Sequence, residues 1–355
     1  MPSSRVTMNE IAQAAGVSRS TVSFVLNNVP GMRISAETQQ RILEVARELN
    51  YVPDSAATRL AGGKIGTIAL VMRRSQHQVT ADRFLAQLLL GISSAVKEQG
   101  FHILIEPLDP SDPEATYGNL VRSRRADGLI IWGPRTEDPE IGQLHDEGFP
   151  FVVIGRLTED HIPTISIDNV TAARRAVEHL RDLGHMRIAC ITEAAPDYRS
   201  SADRLEGYRI ALEEGGISFD PALVRHADFT DEGGATAMNE LLALEQRPTA
   251  VFAGSDVVAL GALGAIRATQ TLRVPQDIAL VGFGDIPLVE YIVPPLTTMR
   301  VPAYALGFVA GEMLVRLITE EDAIVGSVVM QAELVIRSSC GANLPPFAEP
   351  RSKEK

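Results

Sequence analysis

Residues 7–27, Thr-Met-Asn-Glu-Ile-Ala-Gln-Ala-Ala-Gly-Val-Ser-Arg-Ser-Thr-Val-Ser-Phe-Val-Leu-Asn, constrain the fold more than any other stretch of the chain. Thr7 followed three residues later by Glu10 is the pattern of a capping box. Ile11, Ala14 and Ala15 then recur at helical spacing. Gly16 supplies the backbone freedom of a sharp turn, and Ser18 can cap a second helix. On that helix Val22, Val25 and Leu26 share one face and Arg19, Ser20 and Ser23 the other. Two short helices joined this way are either a helix-turn-helix, which lays its second helix in the DNA major groove, or a plain helical hairpin in a core.

A third helix is predicted from Ser35 to about Leu49, with Ile42, Val45, Ala46 and Leu49 forming a narrow apolar stripe that closes a three-helix bundle. Asn50-Tyr51-Val52-Pro53 stops it, because proline cannot continue a helix. The following Ser55–Gly63 stretch has room for a helical turn or two, too few to hold in water alone. DNA and a second copy of the chain are the supports that fit.

The blocks Thr7, Gly16-Val17-Ser18, Thr21-Val22-Ser23, Val25-Leu26-Asn27, Asn50-Tyr51-x-Pro53 and Leu60-Ala61-Gly62 make the first 63 residues resemble the headpiece of the LacI family of bacterial transcription regulators. The resemblance implies a DNA-binding headpiece over 1–53 and a hinge helix over 54–64 that pairs with its dimer mate in the minor groove. Leu60 would be wedged into a base step beside Ala61, kinking the duplex. Thr7, Ser18, Thr21, Ser23, Asn27, Ser35, Thr38 and Tyr51 would line the DNA face, most of them against phosphate. Arg19 and Ser20 fall at the base-reading positions, where arginine either grips a guanine edge or clamps a phosphate. Phe24 departs from the pattern, since many relatives carry a guanine-reading arginine there. No base readout is assigned to it.

Charge agrees only after the chain is divided. The whole has 33 basic and 45 acidic residues, a net of −12, which alone argues against a nucleic-acid partner. Residues 1–64 hold seven basic and five acidic side chains, a net of +2, so the remainder carries −14. The field offered to phosphate is local and modest, and affinity has to come from coupling two headpieces.

Beyond the headpiece, apolar runs alternate with helical patterns, as in parallel sheets covered on both faces. Strands are predicted at 66–71, 102–106, 128–132, 150–154, 187–192, 250–254 and 278–283. Helices are predicted at 84–99, 114–122, 169–183, 203–214, 233–244, 256–269 and 303–319. Asp127-Gly128, Gly184-His185, Arg204-x-x-Gly207-Tyr208, Asp256 and Pro294-Pro295-Leu296-Thr297-Thr298 extend the resemblance to the periplasmic-binding-protein-like core of the same family, through about Ser339. The expected fold class is therefore α/β: an all-α headpiece and hinge, then a two-lobed domain with parallel sheets over 65–340. Its N-lobe is expected at about 65–165 plus 300–326, and its C-lobe at about 166–293 plus 327–340.

Two-lobed α/β domains bind ligands between the lobes, at the carboxyl ends of their strands. That rule nominates Arg73, Arg74, Arg156, Ser255, Asp256 and the Gly282–Asp285 turn, and the resemblance adds Arg204 and a ring, Phe229, that stacks on the effector. An arginine grips hydroxyls or carboxylate with a fixed fork; paired with Glu206 or Asp203, Arg204 would instead be structural. Gly284 stands where many sugar-binding relatives carry the first of two acidic residues; Asp285 is retained and reads as structural. Asp256 is then either the main carboxylate of the cleft or a helix cap. So many arginines would tilt the cleft cationic, suiting a sugar acid or phosphosugar as well as a neutral sugar or another small molecule such as a nucleobase.

Other chemistry finds no foothold. The chain has no Gly-x-Ser-x-Gly elbow, and Gly282-x-Gly284 lacks the third glycine of a dinucleotide loop. The seven histidines show no metal-ligand spacing. Cys190 and Cys340 favour neither a disulfide nor a metal site and suit a reducing cytoplasm. Neither a signal segment nor a membrane-spanning run is expected. The prolines at 345, 346 and 350, with Leu344 the single leucine of 341–355, predict a disordered tail unable to form a tetramerising heptad helix. The sum is a cytoplasmic, dimeric, ligand-responsive DNA-binding repressor without cofactor or catalysis. A cytoplasmic binding protein with a degenerate headpiece is the alternative.

Overall fold

The computed structural model describes residues 6–26, 32–51, 65–159 and 161–343. The hinge 54–64, Asn27, Leu60, Ala61 and the tail from 344 lie outside the described residues. The chain divides into two compact units, Met1–Ile65 and Gly66–Lys355.

The first unit holds α1 (Met8–Ala15), α2 (Arg19–Leu26) and α3 (Ala36–Glu48) around Ile11, Ala12, Ala15, Val22, Ile42 and Ala46. The α1 stripe differs from the expected one by a residue: Ala12 is buried and Ala14 exposed. Glu10 Oε2 accepts from the Thr7 backbone N–H at 2.7 Å and from Thr7 Oγ1 at 3.0 Å, which holds its carboxyl below the usual range. Gly16 turns the chain at φ +64°. Asn50 adopts φ +51° after α3, a conformation asparagine tolerates, and the Tyr51 N–H closes the end on Ala46 O at 2.9 Å.

In the second unit a six-stranded sheet runs in the order β11-β5-β4-β3-β1-β2. Its strands are β1 (Thr67–Met72), β2 (His102–Pro107), β3 (Gly128–Trp132), β4 (Phe151–Ile154), β5 (Thr164–Ile167) and β11 (Val328–Met330), all parallel. The second sheet is β12-β10-β9-β8-β6-β7. It comprises β6 (Ile188–Thr192), β7 (Val224–His226), β8 (Ala250–Ala253), β9 (Ala279–Gly284), β10 (Thr297–Arg300) and β12 (Glu333–Val335), with only β12 antiparallel.

The helices are α4 (Gln76–Ala81), α5 (Leu85–Val96), α6 (Tyr117–Arg122), α7 (Pro139–Asp146), α8 (Asn169–Asp182), α9 (Arg199–Glu214), α10 (Asp231–Leu242), α11 (Asp256–Ala268) and α12 (Ala303–Thr319). The chain crosses between sheets after Ile167, after Arg300 and after Met330. The last crossing comes later than expected: β11, placed with the C-lobe by the sequence, pairs with β5 of the N-lobe because Val328–Met330 extends that sheet's open edge. The second crossing likewise leaves β10 wholly in the C-lobe.

The family-like landmarks have plain structural reasons. Asp127 Oδ2 accepts from the Gly66 and Thr67 N–H groups, fixing the start of β1. A Cβ at Gly207 would lie 2.3 Å from Val170 O, so only glycine lets α9 approach α8. His185 is buried with Nδ1 3.0 Å from Thr249 Oγ1.

Candidate functional site

The interlobe cleft has a volume of about 140 Å³, and its walls come from strand ends of both sheets. From the N-lobe come Arg74 after β1, Asp82, Phe84 and Trp132; from the C-lobe come Glu193 after β6, Arg204, Phe229 and Phe283. The arrangement follows the rule that open α/β sheets gather ligands where their strands end.

Arg204 is the centre of the C-lobe wall. Its Nη1 donates to Gly254 O at 2.6 Å and pairs with Glu193 Oε1 at 3.0 Å, Nε donates to Asn169 Oδ1 at 2.9 Å, and the guanidinium lies 3.9 Å over the Phe283 ring. Burial lowers its pKa, opposed by Glu193 and Asp203. Neither Glu206 nor Asp203 is its ion-pair partner: Glu206 takes Arg209, and Asp203 takes Arg156 at 2.9 Å and Arg199 at 3.1 Å.

The two arginines after β1 part company. Arg74 is 5% exposed, lies over both Trp132 (4.5 Å) and Phe229 (3.9 Å), and pairs with Asp82. Arg73, nominated for the cleft, does not line it. It turns away to Asp138 (3.0 Å) and Glu140 (2.8 Å), stacked 4.5 Å over Tyr117, because two carboxylates there outweigh a half-open cleft.

Phe229 lines the cleft in the left-handed region, φ +68°, held by its N–H on Glu193 O at 2.7 Å. Ser255 is the cap of α11, accepting from the Val258 N–H at 3.2 Å. Asp256, read as a cap or as the main carboxylate of the cleft, is not the cap; it is among the residues that line the cleft, with its oxygens already engaged. Its oxygens accept from the Ile286 N–H (2.9 Å) and Thr298 Oγ1 (2.6 Å), and burial pushes its pKa up to about 6. Gly284 lies beside it at φ +136°, where a Cβ would come within 3.2 Å of Asp256 Oδ2. Asp285 holds Arg300 and Arg337, each at 2.7 Å.

The expected cationic tilt is reduced by ion pairs at the cleft wall: Arg74 pairs with Asp82 and Arg204 with Glu193, while Arg156 and Arg199 share Asp203, so four arginines meet three carboxylates. Sequence reasoning missed Trp132, Glu193, Asn169, Asp82 and Phe84. Trp132 and Glu193 end or follow predicted strands, so the strand-end rule had the means to find them.

On the first unit, Thr7, Ser18, Arg19, Ser20 and Ser35 are exposed, and Thr21, Ser23, Thr38 and Tyr51 half-buried. Ser18 Oγ accepts from the Thr21 N–H at 3.1 Å and lies 2.8 Å from both Ser20 Oγ and Thr21 Oγ1, a hydroxyl cluster at the start of α2 beside Arg19. Ser35 caps α3 through the Thr38 N–H. Phe24 is half-buried. Among the described residues no helix is long and apolar enough to cross a membrane, and no group of three His, Cys, Asp or Glu side chains could hold a metal ion.

Residues 7–54 match the family model of bacterial regulatory proteins of the lacI family, and residues 177–340 that of the periplasmic binding protein-like domain. The chain is 34% identical over 339 residues to the HTH-type transcriptional regulator CelR of Thermobifida fusca, covering 94% of this chain and 98% of that one. A solved CelR–cellobiose complex superposes with a TM-score of 0.71 at 33% identity, covering 94% of this chain and 100% of the other. The lac repressor dimer bound to operator and an anti-inducer gives 0.80 at 29% identity, covering 95% and 99%. The chain therefore belongs to the LacI family of transcriptional regulators, with a helix-turn-helix headpiece followed by a periplasmic-binding-protein-like effector domain.

Proposed function

We propose that this regulator is a cytoplasmic repressor of a carbohydrate-utilisation operon, binding a near-palindromic operator as a homodimer and taking a neutral sugar in the interlobe cleft. The observation that carries the effector class is the pairing of every arginine at the cleft wall with a carboxylate. Such pairs offer directional donors and acceptors to hydroxyls while cancelling three of the four positive charges that would attract an anion. Trp132, Phe229 and Phe283 add aromatic lining suited to the C–H groups of a sugar, each with a guanidinium over one of its faces. The cellobiose bound to CelR is in keeping with this class.

On the DNA side, Arg19 and Ser20 read bases while the hydroxyls of Thr7, Ser18, Thr21, Ser23, Ser35 and Thr38, with Asn27 and Tyr51, hold the backbone. Leu60 and Ala61 act in the minor groove. The operator-bound dimer of the lac repressor supports two-fold binding. So do the exposed Leu90, Tyr291 (78%) and Val293 (71%), apolar surface that a second copy would cover.

Selection of bound duplexes from a random pool, followed by thermal-shift assays with cellobiose, glucose, ribose, galacturonate and glucose 6-phosphate, tests the reading. Enrichment of a dyad-symmetric site and stabilisation by a neutral sugar are expected. Stabilisation by the anions alone would overturn the effector class, and failure to enrich a dyad would overturn the operator reading.

A further inference from the structure

A segment of the C-lobe at the edge of the cleft, of which Arg199 alone is among the residues lining it, reaches across to the other lobe. Residues 195–199 follow β6 and run antiparallel to residues 134–136, which follow β3 in the other lobe, with an isolated bridge between Arg135 and Tyr198. The Thr136 N–H donates to Asp197 O at 2.7 Å, the Arg199 N–H to Pro134 O at 3.2 Å, and Thr136 Oγ1 to Pro196 O at 3.2 Å.

Tyr198 is the middle of this strap. Its hydroxyl donates to the backbone carbonyl of Arg73 at 2.7 Å, at the end of β1. Its ring meets Phe229 edge-on, centroids 4.8 Å apart at 88°. With Ala194 these two rings make a small buried cluster separate from the main cores. The carbonyl that Tyr198 grasps belongs to the arginine anchored on Asp138 and Glu140, so the hydroxyl is tied to a fixed point of the N-lobe. The neighbouring Arg74 guanidinium reaches the other way, over Phe229 of the C-lobe. Strap and cation–π contact thus close on each other at one edge of the cleft.

We propose that Tyr198 is a positioning residue for effector binding: it holds the two lobes together and sets the ring of Phe229 without itself touching the effector. The inference rests on the cleft being the effector site. One core runs through both lobes and each lobe has a further core of its own, and Tyr198 belongs to none of them, so the hydroxyl bond contributes to the open–closed balance and not to the folding of either lobe. Losing one such bond shifts that balance toward open by roughly fivefold. Effector affinity falls by up to that factor, since only the closed arrangement joins both walls and affinity follows the closed fraction.

The test uses the full chain with spin labels on Asp112→Cys in the N-lobe and Asn239→Cys in α10 of the C-lobe, both exposed sites. The native Cys190 and Cys340 are buried and escape labelling. Electron–electron resonance distances are compared for Tyr198, Tyr198→Phe and Tyr198→Ala without effector or DNA, so the outcome is independent of which sugar or operator the protein uses. Tyr198→Phe keeps the ring on Phe229 and loses only the hydroxyl. Its distance distribution is expected to gain a longer component, with thermal unfolding close to wild type, and Tyr198→Ala to gain more of it. A distribution for Tyr198→Phe superimposable on that of the parent overturns the proposal, whatever Tyr198→Ala does.

Discussion

Arg204 and Glu193 form a buried ion pair, Nη1 to Oε1 at 3.0 Å, with side chains 14% and 4% exposed. Ser200 Oγ donates to the same Glu193 oxygen at 2.7 Å. Removing the cation leaves a carboxylate buried with one hydroxyl for company, which costs far more than the pair contributes. Arg204→Ala is expected to destabilise the effector domain by about 3–5 kcal/mol. The double variant Arg204→Ala/Glu193→Ala should be less destabilised than the single changes added together. A double-mutant cycle by urea unfolding measures the difference, and strict additivity would contradict the coupling.

The two neighbours Arg73 and Arg74 should separate stability from binding. Arg73→Gln strips Asp138, whose side chain is 3% exposed, of its main partner, at a cost of ~3 kcal/mol. The effector affinity of the folded protein should change little. Arg74→Gln removes a cleft-wall donor and the contact with Phe229, so affinity should fall at least tenfold. Titration with whichever sugar stabilises the parent protein, and thermal unfolding, run on both variants, would show the opposite order if Arg73 were the ligand contact.

This pair also marks how far sequence reasoning reaches. The end of β1 was readable from the run Thr-Ile-Ala-Leu-Val-Met, so both arginines were correctly placed at the end of that strand. Which of them turns inward depends on Asp138 and Glu140, more than sixty residues away, and no local pattern carries that. The long buried strands and amphipathic helices announced themselves, whereas β5, β7 and α4 are three to six residues long and too brief to show a period. Trp132 and Glu193 sit at legible strand ends but are residue types that packing explains equally well. Asp82, after the unread α4, gave no signal at all.

Two glycines in helices predict opposite signs. A Cβ at Gly307 of α12 would lie 2.1 Å from Leu88 O of α5, backbone against backbone, so neither helix can yield cheaply. Gly307→Ala is expected to lower stability by about 1–3 kcal/mol through overpacking. Gly264 of α11 is exposed and a Cβ there meets nothing within 4 Å. Gly264→Ala should therefore raise stability by about 0.5–1 kcal/mol, from helix propensity and a less flexible unfolded chain. Urea midpoints of the two variants should move in opposite directions, and a shared direction would refute the packing argument.

Two buried groups give opposing pH dependences over the same range. His185 is pushed down to about 4 by burial, below its unfolded value, so the folded state resists the proton that the unfolded chain accepts. Its stabilising contribution is present above about pH 6.5 and is lost as pH falls toward 4. Asp256 is pushed up to about 6, above its unfolded value, so the folded state keeps a proton that the unfolded chain releases. Its contribution is present below about pH 4 and is lost as pH rises through 6. Each slope is at most about 1.4 kcal/mol per pH unit, and between pH 4 and 6 they largely cancel. His185→Gln should uncover a stability that falls as pH rises across this window. Asp256→Asn should uncover one that rises. Urea unfolding at half-unit pH steps reads both slopes, and variants that track the wild-type curve in parallel would show that neither group titrates as its burial dictates.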